Sequence, residues 1–126
     1  MKLDDVFAVV KPGLGVDTLA VTPSLYGDLD DTYDGFGGHV LVSIHSFDAD
    51  WPTWERHPAG DEIVVLLEGD ARMVIRRDDG FTEIEMNQSG EFIVVPKGAW
   101  HTARTSVPTR MLFITPGEGT ENKESP

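Results

Sequence analysis

The sequence predicts an all-β sandwich or barrel, and three observations predict it. Short runs rich in β-branched residues recur along most of the chain, turn residues divide them at close intervals, and long segments of helical period are missing. At 126 residues the chain fits one ordinary domain and is too short for two full-sized ones. Apolar residues at 40% and charged residues at 25% leave ample material for a buried core.

In chain order, the first expected strand covers residues 16–21. A short helix follows over 22–29, with Thr22 or Ser24 as its cap. Strands are then expected over 39–47, 53–57, 62–67, 71–77, 81–86, 91–95, 101–105 and 111–115. Glu68-Gly69-Asp70, Asp78-Asp79-Gly80, Gln88-Ser89-Gly90 and Pro96-Lys97-Gly98 each supply a glycine for the positive φ of a tight turn. No repeat or linker divides the chain, so residues 1–126 read as one domain. Within it, 1–36 form an N-terminal arm with short elements, packed on the barrel or on a partner subunit. Residues 37–116 form the barrel, and the polar stretch 117–126 reads as a frayed tail.

Composition excludes several function classes. The formal net charge is −12, with ten Lys and Arg among 22 Asp and Glu, so no basic stripe exists to displace counterions from nucleic acid or to meet an anionic membrane. No apolar run approaches the roughly 18 residues of a spanning helix. The start, Met1-Lys2-Leu3-Asp4-Asp5, lacks the pattern of a secretory signal. Cysteine is absent, which removes disulfides and thiolate metal sites. A cytoplasmic location is the expectation.

Without cysteine, a transition-metal site is built from imidazole nitrogen and carboxylate oxygen. Glu55 and His57 are two apart, so on a strand they project from one face. Pro58-Ala59-Gly60-Asp61 reverses the chain and returns Glu62 towards them. His101 follows the Pro96-Lys97-Gly98 turn as a fourth donor. Asp61 reads as a turn residue, with an exchange of roles with Glu62 open if the strand begins in a bulge.

Gly90, five residues, Pro96-Lys97-Gly98, two residues and His101 match the second motif of the cupin superfamily at its first four fixed positions. A chance match in a chain of this length is on the order of one in a thousand. His57, Glu62 and Gly69 resemble the frame of the first cupin motif. Two positions depart from the family pattern: Glu55 stands where histidine is usual, and Thr105 where asparagine is. The resemblance spans residues 55–105. It implies a double-stranded β-helix, or jelly-roll, barrel, commonly a homodimer, with one divalent metal on His57, Glu62 and His101. Glu55 would complete a set of two imidazoles and two carboxylates suited to Fe, Mn, Zn or Ni, or would act as a base beside a three-ligand ion.

Met73 and Ile75 share a face that reads as lumen wall, as do Met111, Phe113 and Thr115. His45 alternates with Leu41, Ser43 and Phe47, and reads as a structural histidine or a base near the metal. Trp51, Trp54 and Trp100 flank the motif segments and read as core or interface, with Trp54 and Trp100 turned away from the neighbouring ligands. Two functions follow. One is a metal-dependent enzyme acting on a small organic molecule, of oxygenase, isomerase or lyase type. The other is a non-catalytic domain that senses or holds a small ligand.

Overall fold

The computed structural model describes residues 1–126 and consists of two antiparallel sheets facing one another. The strands are β1 (Val6–Val10), β2 (Val16–Ala20), β3 (Val40–Phe47), β4 (Trp54–Arg56), β5 (Glu62–Glu68) and β6 (Ala71–Arg77). They continue with β7 (Gly80–Met86), β8 (Phe92–Val95), β9 (His101–Arg104), β10 (Thr109–Thr115) and β11 (Glu121–Lys123). One sheet runs β2-β1-β3-β10-β5-β8, the other β11-β4-β9-β6-β7. The expected strands are all present, within two residues at most ends. No helix is long and apolar enough to cross a membrane.

Alternation sets the two faces. In β6, Ala71, Met73 and Ile75 are buried, and in β10 Thr109, Met111, Phe113 and Thr115 are buried between outward neighbours. With Val64, Leu66, Met86, Ile93, Val95 and Ala103 these apolar side chains form one cluster between the sheets. Burying each aliphatic side chain of this size contributes about 1.5–3 kcal/mol. The hairpin glycines stand at positive φ as expected: Gly69 at 105°, Gly90 at 93° and Gly98 at 74°.

Three expectations are corrected. The arm holds a strand that periodicity did not reveal: β1 pairs with β3 and β2, extending the first sheet. The arm therefore packs on its own barrel. Its helix α1 runs Leu25–Thr32, later than expected, and neither Thr22 nor Ser24 caps it with a side chain. Ser24 Oγ instead donates to the Asp28 carboxylate at 2.9 Å. Leu25 and Leu29 dock α1 into a second apolar cluster with Phe7, Val9, Phe36 and Leu41. Finally, the tail is not frayed throughout, because Glu121–Lys123 pair with β4.

Candidate metal centre

Four short elements bring the donors together. β4 presents Glu55 to the lumen, and its Cα partner on β9 is His101. His57 follows β4 directly, and the next turn leads into Glu62 at the start of β5. Gly98 N donates to His57 O at 3.0 Å, and Lys97 N donates to the Asp61 carboxylate at 2.7 Å. Asp61 is thus a turn residue that ties the two motif loops together. His57, Glu62 and His101 are all buried, and one ligating atom from each lies within 4.8 Å of the others.

The two imidazoles are fixed in one tautomer by their outer nitrogens. His101 Nδ1 lies 3.1 Å from Ala99 O, which only accepts, so Nδ1 carries the proton. Thr120 spends its hydroxyl proton on Gly117 O at 2.9 Å and therefore accepts from His57 Nδ1, also at 2.9 Å. In the neutral rings both Nε2 atoms are then bare lone pairs. They face one carboxylate: His101 Nε2 is 3.1 Å from Glu62 Oε1, and His57 Nε2 is 3.2 Å from Glu62 Oε2. Thr115 Oγ1 donates to Glu62 Oε2 at 2.5 Å and holds that carboxylate in place.

Lone pairs this close to a carboxylate require a positive charge among them, either a proton or a metal ion. Despite the short distances, His57 Nε2, His101 Nε2 and Glu62 Oε1 make no aligned hydrogen bond. The two contacts fall on the two oxygens of Glu62, and the three residues bring their donor atoms within reach of one common point. The residues present therefore fit a metal ion. Glu55 Oε1 lies 4.0 Å from His57 Nε2, just outside the tight trio.

The electrostatics follow from this packing. Burial pushes the Glu62 carboxyl up, but His101 and His57 outweigh it and draw it down to about 2. Burial lowers His101, and the Glu62 carboxylate more than reverses this, leaving it above the ordinary imidazole value. Glu55 moves up, through burial and through Glu62, against the smaller pull of the two histidines.

Glu55, His57 and Glu62 open onto a cavity of about 690 Å³. Leu29, Phe36 and Leu41 of the arm's apolar cluster and Phe113 of the barrel's line it, so it lies between the two. Tyr26 and His45 also line it, joined by a 2.9 Å hydrogen bond. Trp54 and Trp100 turn away as expected. Trp54 packs on Phe81, and Trp100 lies beneath Arg56 and Lys123. Thr105, at the departing motif position, bonds to the Asp70 and Val107 carbonyls and ties β9 to two turns. Tyr26 and Thr120 reach the site without a signal in the sequence. Thr115 was expected only as lumen wall, although a hydroxyl in an otherwise apolar alternation was a signal.

The architecture matches solved structures. A cupin-2 domain protein from Shewanella frigidimarina aligns at 22% identity over 61% of this chain and 70% of that one, with a TM-score of 0.52. The chain has the cupin fold. An oxalate oxidase aligns to this cupin barrel at 19% identity with a TM-score of 0.55, over 64% of this chain and 44% of its own. Hydroxypropylphosphonic acid epoxidase from S. wedmorenis aligns at 16% identity with a TM-score of 0.51, over 60% and 43%. The barrel thus spans less than half the length of either enzyme. No protein-family model matches the sequence, and no curated protein is significantly similar to it.

Proposed function

We propose that this barrel is a metal-dependent enzyme acting on a small organic molecule, with one divalent transition metal held by His57, Glu62 and His101. The observation that carries this reading is the set of buried donor atoms, His57 Nε2, His101 Nε2 and Glu62 Oε1, that face one another without an aligned hydrogen bond beside an open cavity. Imidazole and carboxylate donors suit Fe, Mn, Zn or Ni. Once bound, such an ion supplies Lewis acidity or an oxygen-binding centre. The chain itself supplies orientation: Ala99 and Thr120 fix the imidazoles, and Thr115 fixes the carboxylate. Glu55, with its carboxyl raised, is the group at the cavity wall best suited to take and return a proton, or to join as a fourth donor. Three protein donors leave positions for substrate, which favours catalysis over a purely structural or sensing role.

Elemental analysis tests the reading. About one Fe, Mn, Ni or Zn per chain is expected, and its loss in His101→Ala. Metal retained in Glu55→Ala with activity lost would make Glu55 the base, and metal lost would make it a ligand. No metal after incubation with Fe(II), Mn(II), Ni(II) and Zn(II) would overturn the reading and leave a small-ligand-binding barrel.

The barrel is also proposed to work as a homodimer through the outer face of its larger sheet. There Ala8, Val42, Ile114, Ile63 and Val94 form one cross-strand row, and Ile44, Leu112, Val65 and Phe92 a second. At ordinary strand spacing the longer row is about 20 Å wide. Phe92 and Val94 are 63% and 48% exposed, and neither row holds a charge. A chain of net charge −12 meets its own copy most cheaply on such a face. Light scattering is expected to give twice 13.9 kDa for the wild type and a single chain's mass for Val65→Glu. A monomeric wild type would end the proposal.

A further inference from the structure

The cavity carries a charge pattern that metal binding does not account for. Asp30, Glu55 and Glu62 line it, and no lysine or arginine does. Its apolar wall is a run of neighbouring rings. Phe47 lies 5.7 Å from Trp51, Trp51 5.8 Å from Phe113, and Phe113 5.6 Å from His45. His45 in turn stacks on Tyr26 at 6.4 Å. Two residues of the lining, His57 and Glu62, are more than nine-tenths buried and keep polar atoms without a partner.

We propose, resting on the reading of this cavity as the ligand site, that it takes a small organic cation, an ammonium group on an apolar or aromatic body. A positive centre is attracted to ring faces by their quadrupole, and the attraction grows where water is excluded. A divalent ion at the histidines balances Glu55 and Glu62 and leaves Asp30 at the rim with no lining cation to pair with. The net charge of −12 draws cations towards the mouth and turns anions away.

The Tyr26–His45 pair fits the same ligand. Desolvation of its ring, against a smaller opposite influence of Glu62, holds His45 below the ordinary imidazole value. The ring is therefore neutral near pH 7 and does not repel a cation. Tyr26 is 55% exposed, but loss of water around its hydroxyl, together with Glu55 and Glu62, pushes it up to about 12, so it keeps its proton. The dyad adds polarity at the mouth without adding charge.

Three probes of one shape separate the possibilities: benzylamine, benzyl alcohol and benzoate. Binding to the full chain is followed by tryptophan emission, since Trp51 lies in the wall. Benzylamine is expected to bind about tenfold more tightly than benzyl alcohol, while benzoate, whose carboxylate can ligate an ion with open positions, reports on the metal. Asp30→Asn, on an exposed helix position, is expected to narrow the gap between amine and alcohol about threefold and leave the alcohol unchanged. Benzyl alcohol binding as tightly as benzylamine, no saturable binding of any probe, or an unchanged gap in Asp30→Asn would each overturn the proposal. Metal content measured on the same samples keeps the two readings apart. A metal-free chain that prefers benzylamine sinks the metal-enzyme reading alone, and a metal-loaded chain that binds benzyl alcohol as tightly as benzylamine sinks this one alone.

Discussion

Gly69→Ala is expected to destabilise the protein by about 3 kcal/mol or more, enough to lower Tm by roughly 10 °C. The turn between β5 and β6 holds Gly69 at φ 105°, a conformation that residues with a side chain rarely adopt. Strain of that kind alone costs on the order of 1–3 kcal/mol. A Cβ there would also stand 2.6 Å from Pro108 O and from Thr109 Oγ1, and 2.7 Å from Thr109 Cα. Two of these are backbone atoms at the start of β10, which pairs with both β3 and β5, so relief requires moving a central strand. Thr105 and Thr109 bond to the Asp70 carbonyl beside it, so the same shift would loosen that network. Thermal denaturation compared with Gly90→Ala is the check. Gly90 has φ 93° but open space around its missing Cβ, so it reports the strain without the collision. Equal losses in the two variants would refute the steric part of the argument.

The contrast between these turns and β1 shows what the sequence makes legible. β6 could be read because Met73 and Ile75 alternate with arginines, and the glycines on either side mark its turns. β1 reads Val-Phe-Ala-Val-Val without a polar residue, so alternation cannot distinguish it from other buried apolar segments. β11 failed for the opposite reason. Glu121, Asn122 and Lys123 are exposed, and their pairing is decided by the free edge of β4. The candidate donors were legible because their spacing encodes a reversal of the chain between His57 and Glu62 and a tight turn before His101. Thr120 and Tyr26 were not. Each reaches the site through a contact distant in sequence, 63 residues from His57 and 19 from His45, and leaves no local trace.

Glu62→Gln carries the second large effect, because one carboxylate answers to two histidines and to the proposed ion. In the metal-free protein, a carboxyl drawn from 4.5 down to about 2 holds on the order of 3 kcal/mol near neutral pH. That contribution is complete above the ordinary value of 4.5 and is lost as pH falls towards 2. His101 has the opposite sign. Its folded value lies above 6.5, so its share is complete below 6.5 and fades as pH rises through the raised value. The pair therefore stabilises the metal-free fold most between 4.5 and 6.5. Subtracting the Glu62→Gln profile of Tm against pH from that of the wild type is expected to give a maximum in that window. A difference that stays flat across it would show that the Glu62–His101 pairing does not exist in solution. Metal should change the shape, since an ion replaces protons at the same atoms and extends the stabilised range upward in pH. In Glu62→Gln the amide supplies a weaker, uncharged donor, so affinity for Zn(II) or Mn(II) is expected to fall about a hundredfold or more. Loss of that upward extension, together with loss of the maximum, would trace both effects to the one side chain that Thr115 holds in place.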